Sequence, residues 1–425
     1  MCFPFLICML LHIRFHCVIA NMVASIETSI PCGSKSAGGN GNGVDRLSSL
    51  SDDLLHHVMS FLPMPEVVRT SLLSPRWRNL WYSTPFIRID SQDFVDKRKL
   101  ENFGDCLLLL HDRTTSLDEA RISAHCVNDT KCSVWIRHAI MHKVRLLHIS
   151  GSLSLDRTAI FPSRHLKTIR LQSVMLKHGL FRPLNYDCPV LEHLELEWCG
   201  FCDHEEVSSR SLKVLHISDC HLTSGLLICA RNLTHLSILD TEIGGIVTSD
   251  LSCLVTALIS LIPKYFHHKY TVVDHHLHLL DGLSHATTLE LLAPLHERAF
   301  EGAMQTCPMF SNLTSLVLGD WCMTADLYPL HRILRCSDKL KELTLKLEMD
   351  ECTTCKLLLP IRRASPSGSG SYPCIERIKI YCQKDHPRVD ELVQALVPTA
   401  CNAKISIERP RSMITKNSLA KLICC

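Results

Sequence analysis

The chain has 425 residues, more than one hydrophobic core usually serves, so several units or a stacked repeat are expected. Forty-five Lys and Arg against 43 Asp and Glu leave a net charge of +2, which supplies neither a broad basic field for nucleic acid nor an acidic tail. The 23 cysteines are an odd number, too sparse for a small disulfide scaffold, and Cys188, Cys220, Cys229 and Cys253 sit in apolar runs as small buried hydrophobes of a reducing compartment.

Residues 1–24 are apolar, but His12, Arg14 and His16 interrupt the run and no basic segment precedes it. This reads as a leader rather than a secretory signal, with Met22 an equally good start. Residues 33–43 are a Gly/Ser/Asn tether without the strand or the Lys-Ser/Thr that a phosphate loop needs. The terminal Cys424-Cys425 lacks the prenylation pattern and reads as a plain tail.

Residues 44–83 read as three short helices. Ser51 is an N-cap followed by Asp52 and Asp53, whose charge complements the helix dipole. Leu54, Leu55, Val58, Phe61 and Leu62 recur at three- and four-residue spacing and predict one apolar face. Pro63 and Pro65 end that helix and open a second one, which carries Val68 and Leu72. Ser74 and Pro75 open a third, with Trp77, Leu80 and Trp81 on one side. Some forty residues cannot bury so many large apolar groups alone. The module therefore packs on the rest of the chain or offers a face to a partner.

This stretch resembles the F-box of plant F-box proteins. Leu47, Leu50, Asp52-Asp53-Leu54-Leu55, Val58, Phe61-Leu62-Pro63, Val68-Arg69-Thr70-Ser71, Leu73-Ser74, Arg76-Trp77 and Leu80-Trp81 fall where that motif has them, while Ser51 replaces a usual proline and Pro75 a commoner basic residue. The resemblance implies docking to a Skp-type adaptor and, through it, to a cullin. The residues expected to carry the contact, or to pack behind it, are Leu50, Leu54, Leu55, Val58, Leu62, Leu72, Trp77, Leu80 and Trp81.

Beyond this module an L-x-x-L-x-L pattern recurs, with first positions at Leu117, Val144, Leu166, Leu191, Leu212, Leu233, Leu254, Ala286, Leu313, Leu340 and Ile375. Most steps lie within or near the 20–29 residues of leucine-rich repeats. Cys199, Cys220 and Cys322 fall near the Asn/Cys position of that repeat, and Ile87 and Ile89 mark a degenerate strand that starts the stack. Leu194 and Leu196 alternate inward while His193, Glu195 and Glu197 face out. Each repeat leaves an apolar row that only a neighbour can cover, so a solenoid follows.

The predicted fold is α/β: a three-helix F-box, then a leucine-rich-repeat solenoid with a parallel sheet on its concave face and helices and loops on its convex face. Helical spacing at 96–111 and 131–141 belongs to the convex side, and strand, helix and strand at 374–410 form a cap. The expected divisions are leader and linker 1–43, F-box 44–90, repeats 91–373, and cap and tail 374–425. Long insertions at 263–285 and 351–373 lengthen two repeats. The arrangement resembles the F-box/leucine-rich-repeat group of plants over about residues 44–410.

Equivalent strand positions supply Arg121, His148, Arg170, Glu195, His216, Ser237, Glu290, Thr344 and Lys379. Of these Arg170, Glu195, His216, Glu290, Thr344 and Lys379 are the candidate substrate-binding residues, on an open face without a pocket-forming or catalytic motif. The His267, His268, His275, His276 and His278 cluster reads as a solvated loop. The pairs Cys199/Cys202 and Cys352/Cys355 lie too far apart to make one zinc site. No metal or other cofactor is expected, and no nucleic-acid or membrane partner.

The sequence thus points to a non-catalytic substrate-recognition subunit of an SCF-type ubiquitin ligase, binding an unknown protein substrate in the cytoplasm or nucleus. Two alternatives stand beside it. One is a secreted or membrane-associated leucine-rich-repeat receptor or defence protein, which predicts paired disulfides and a glycan on Asn128; Asn232 and Asn312 also fit the acceptor pattern but open repeat strands. The other is an F-box scaffold acting outside a ligase.

Overall fold

The computed structural model describes residues 49–409, except 126, 157–161, 178, 182–183, 203, 223–224, 244–245, 262–278, 294–299, 325–326, 348–371, 373, 383–388, 399 and 401–402. The leader and tether, Leu47, the clustered histidines from His267 to His278, the Cys352/Cys355 pair, most of the second insertion and the Cys424-Cys425 tail lie outside the described residues. Two compact units divide between Cys202 and Asp203.

The first unit opens with α1 (Asp52–Met59), α2 (Met64–Arg69), a 3-10 turn at Thr70–Leu72, α3 (Trp77–Leu80) and a second 3-10 turn at Trp81–Ser83. A parallel sheet follows in the order β1 (Phe86–Asp90), β2 (Glu119–Ser123), β3 (Leu146–Leu155), β4 (Thr168–Leu176) and β5 (His193–Glu197), with β6 (Gly200–Phe201) also on β4. Between strands run α4 (Lys97–Leu110), α5 (Asp129–Met141) and the short α6 (Leu184–Asp187). Asp96 and Asn128 cap α4 and α5 by accepting the Arg98 and Lys131 amides, which satisfies first-turn N–H groups that have no partner within the helix. The two helices lie close to where their apolar spacing predicts them.

The second unit repeats the device with β8 (Val214–Ser218), β11 (His235–Ile243), β13 (Thr256–Leu261), β14 (Thr288–Leu292), β15 (Ser315–Leu318), β16 (Glu342–Leu347), β17 (Arg377–Cys382) and β18 (Lys404–Glu408), all parallel. The two-residue β9 (His221–Leu222) joins β11. The closing strand–helix–strand appears as β17, α10 (Val389–Leu396) and β18. Leu117, Val144, Leu166, Leu191, Leu212, Leu233, Leu254, Ala286, Leu313, Leu340 and Ile375 are all buried, as the first positions of stacked repeats must be.

The path returning from one strand to the next corrects one expectation. In the second unit β7 (Glu205–Ser208), β10 (Leu226–Cys229) and β12 (Ile246–Ser249) form their own three-stranded parallel sheet, where helices or loops were predicted. Repeat length explains this. The steps from Leu191 through Leu212 and Leu233 to Leu254 are 21 residues each, whereas α5, α8 (Glu301–Gln305) and α9 (Tyr328–Arg335) occupy steps of 27. A helix advances about 1.5 Å per residue and a strand about 3.3 Å, so the shorter repeats cross back extended. At the edge of this small sheet α7 (Leu279–Leu283) packs so closely that a Cβ on Gly282 would stand 2.1 Å from Thr248 Oγ1.

Candidate functional site

Ser51 caps α1 by accepting the Leu54 amide, with Asp52 and Asp53 in the first turn, as the sequence predicts. The single apolar face predicted for this helix is in fact two. Leu55 and Met59, four apart, are wholly buried, whereas Leu54, Val58 and Phe61 stand 51%, 42% and 75% exposed along the neighbouring side. Leu50 and Leu62 are half-buried at the two ends of the helix. Beyond α2, whose Met64, Val67 and Val68 are buried, Leu72 and Leu73 emerge again, about two-thirds exposed.

Trp77, Leu80 and Trp81 face inward together and carry the packing of the module. Their helix begins at Trp77 rather than Ser74, although the Arg78 amide already donates to the Ser74 carbonyl, so the Ser-Pro pair forms the entering turn. Polar ties fix the exposed helix. His56 Nε2 bonds the Leu80 carbonyl at 3.0 Å, and the Arg76 guanidinium holds both the Leu50 carbonyl and Asp52. Arg88 on β1 donates to the Ser60 carbonyl at the end of α1. The nine expected contact residues therefore split into exposed or half-exposed groups (Leu50, Leu54, Val58, Leu62, Leu72) and packing behind them (Leu55, Trp77, Leu80, Trp81). Phe61 and Leu73 are exposed but were not among them.

On the sheet, the ladder register lines up Arg88, Arg121, His148, Arg170 and Glu195 in the first unit. In the second it lines up His216, Ser237, Leu258, Glu290, Val317, Thr344 and Lys379. The six candidate substrate residues thus occupy one column within each unit. Arg170 and Glu195 pair with each other at 2.8 Å, while Glu290 receives Lys346, which reaches across β15 from β16. Burial works against the charge of Glu119, yet hydrogen bonds from Arg88 and Arg121 hold its carboxyl below the ordinary value. His148 is held below its ordinary value by burial and then by Arg121 and Arg170, against the partial opposition of Glu119 and Glu195. The first unit's column is a basic strip with acidic margins.

The cysteines at repeat positions are core groups. Cys199, Cys220 and Cys322 are buried, and the first two donate to the carbonyls of Leu171 and Ser218. All thirteen cysteines among the described residues are free thiols. Two of the glycan-pattern asparagines have structural work: Asn128 caps α5, and Asn232 Nδ2 donates to the Arg210 carbonyl at 2.6 Å. No helix among the described residues is long and apolar enough to cross a membrane.

A helical module with an exposed apolar side, followed by a long run of parallel strands, is the arrangement of an F-box region with a repeat sheet. Residues 47–89 match the F-box domain family. The chain is also similar to F-box/leucine-rich-repeat proteins of Arabidopsis thaliana. It is 27% identical over 339 residues to an F-box/LRR-repeat protein, covering 64% of this chain and 72% of the relative. To one F-box/FBD/LRR-repeat protein it is 29% identical over 218 residues, covering 48% of this chain and 49% of the relative. To another it is 25% identical over 331 residues, covering 64% and 71%. The chain thus carries an F-box domain and is related over much of its length to plant F-box/LRR-repeat proteins.

Proposed function

We propose that this chain is the substrate-recognition subunit of an SCF-type ubiquitin ligase. The F-box, residues 44–90, docks a Skp-type adaptor and through it a cullin. The repeats, 91–373, hold a protein substrate, and 374–425 are a cap repeat and tail. The observation that supports this most directly is the separation along α1 and the turn that ends it: Leu55 and Met59 secure the helix to its own module, and Leu54, Val58 and Phe61 remain available. Large apolar groups exposed side by side on a rigid helix suit burial by another polypeptide.

In this reading Leu50, Leu54, Val58, Phe61, Leu62, Leu72 and Leu73 meet the adaptor, and Leu55, Trp77, Leu80 and Trp81 hold them in place. Arg170, Glu195, His216, Glu290, Thr344 and Lys379 belong to the substrate face. The subunit makes and breaks no bond itself; it raises the local concentration of substrate lysines near the transfer site. Its expected compartments are the cytoplasm and nucleus. The test is co-purification of a Skp-type adaptor with the full chain and with a chain lacking 44–83. Retained adaptor on the truncated chain overturns the proposal.

A further inference from the structure

Three histidines that the docking function does not use converge beneath the first repeats. His111 directly follows α4, and His138 and His142 lie four apart on and just after α5, on one side of that helix. A ring nitrogen from each lies within 4.8 Å of one from each of the other two. His111 is 2% exposed and His142 7%. Metal-binding histidines commonly have their second ring nitrogen held by a backbone carbonyl, and that arrangement recurs here. His111 Nε2 bonds the Thr84 carbonyl at 2.9 Å, and His142 Nδ1 bonds the Thr115 carbonyl at 3.3 Å. This leaves His111 Nδ1 and His138 Nε2 buried with no hydrogen-bond partner. An unsatisfied buried nitrogen is unfavourable, and two on neighbouring rings of one cluster call for a shared partner.

We propose that His111, His138 and His142 bind one borderline-soft divalent transition metal of the zinc type, with water completing the coordination. Three neutral imidazoles suit zinc, copper or nickel rather than calcium or magnesium, and three histidines plus a water is an established tetrahedral zinc set. Bonds of about 2.0–2.1 Å require nitrogens roughly 3.4 Å apart, so the cluster draws together on binding and the stacked His138 and His142 rings turn to converge on the ion. Burial, and then the neighbouring His142, keep His111 below the ordinary histidine value against the opposing Thr84 carbonyl and Asp112, and burial with His142, His111 and Arg113 brings His138 down to about 4. His111 and His138 therefore offer lone pairs rather than protons at neutral pH. Arg113 opposes a cation here, and Asp112 beside His111 offsets it. Through the Thr84 carbonyl the metal links the end of the helical module to α4 and α5.

The test uses the full chain, chelator-treated and with accessible thiols alkylated, titrated with cobalt(II) and then zinc(II). The expected result is one cobalt per chain with visible d–d absorption, no thiolate charge-transfer band, and displacement by zinc. His138→Phe keeps the ring packing and removes the nitrogens. It is expected to lose at least tenfold in affinity and to lose the zinc-induced rise in Tm, while matching or exceeding the wild-type Tm in chelator. A variant with His267, His268, His275, His276 and His278 all changed to Ala is expected to bind as wild type. Unchanged binding by folded His138→Phe, or loss of the signal in the five-histidine variant, overturns the assignment. Should His138→Phe fail to fold, the wild-type spectrum decides: a thiolate band, or no saturable d–d band, overturns it equally.

Discussion

Leu54 and Leu55 are consecutive on one helix and fall on neighbouring sides of it, the first half-exposed and the second wholly buried. The pair therefore separates folding from docking. Leu54→Asp, or Phe61→Asp, removes an apolar group from the exposed side, and stability is expected to change by about 0.5 kcal/mol or less. Adaptor capture is expected to fall at least tenfold. Leu55→Ala empties a buried site and is expected to lower stability by about 2–5 kcal/mol. Urea melts beside adaptor pull-downs check both halves. If Leu54→Asp and Phe61→Asp both bind the adaptor normally, the exposed side of α1 is not the docking surface.

What was legible beforehand was whatever has a period. The buried first positions from Leu117 to Ile375 announce themselves because each repeat leaves the same apolar row uncovered. The division between Leu54 and Leu55 was not legible, since Leu54, Leu55, Val58, Phe61 and Leu62 span more than one side of a helix and spacing alone cannot say which side is covered. The exposure of Phe61 and Leu73, both of which stand in the motif, was not legible for the same reason. The return strands β7, β10 and β12 were signalled by the 21-residue steps, a length too short for a helical return. The four-residue step from His138 to His142 was visible in the sequence, but only the fold brings His111 to them.

The basic strip on the first unit's sheet makes a separate prediction. Arg170 and Glu195 form a partly exposed pair, and such pairs contribute little to stability, about 0–1 kcal/mol. Arg170→Glu is therefore expected to leave the chain folded and adaptor-bound, as is Lys379→Glu in the second unit's own column. Each is expected to reduce substrate capture from cells in which degradation is blocked, measured against the wild-type chain. If the captured set is unchanged by both, recognition lies off this column.

Gly104 lies inside α4, where glycine is unfavourable, for a packing reason. A Cβ there would lie 2.6 Å from Trp135 Cζ2, and that indole, wholly buried, donates to Asp105 on the same helix at 3.1 Å. Ala would improve helix propensity by up to about 1 kcal/mol but overpack the contact by about 1–3 kcal/mol. Gly104→Ala is expected to lower the urea midpoint, and Trp135→Phe in the same chain to recover part of the loss. Strict additivity of the two changes would show that the indole is not what forbids a side chain at Gly104.

His138 predicts a loss of stability in mild acid. Its folded-state value, about 4, lies below the ordinary 6.5, so between these values the unfolded chain takes up a proton that the native chain refuses. Stability from this group is complete above pH ~6.5 and declines as the pH falls towards ~4. His111 shifts the same way and adds to the effect. His138→Phe in chelator is expected to flatten the dependence of the urea midpoint on pH across this window. An unchanged slope would place the acid sensitivity elsewhere.

Asp93 has the opposite sign and a different remedy. It is half-buried after β1, and burial, then the charges of Asp90 and Glu66, push its carboxyl up to about 6. The native chain therefore keeps a proton that the unfolded chain releases from pH ~4 upward, and this group's contribution to stability falls as the pH rises through about 6. Above that, an ionised carboxylate is held among like charges. Asp93→Asn mimics the protonated form. At pH 7.5 it is expected to stabilise the chain by about 1 kcal/mol, after discounting for the half of the side chain that water still screens. The advantage is expected to shrink as the pH falls through 6 and to vanish near 4, a profile that urea melts at several pH values resolve. A pH-independent gain would mean that Asn improves a local contact and that like-charge crowding at Asp93 is not the cause.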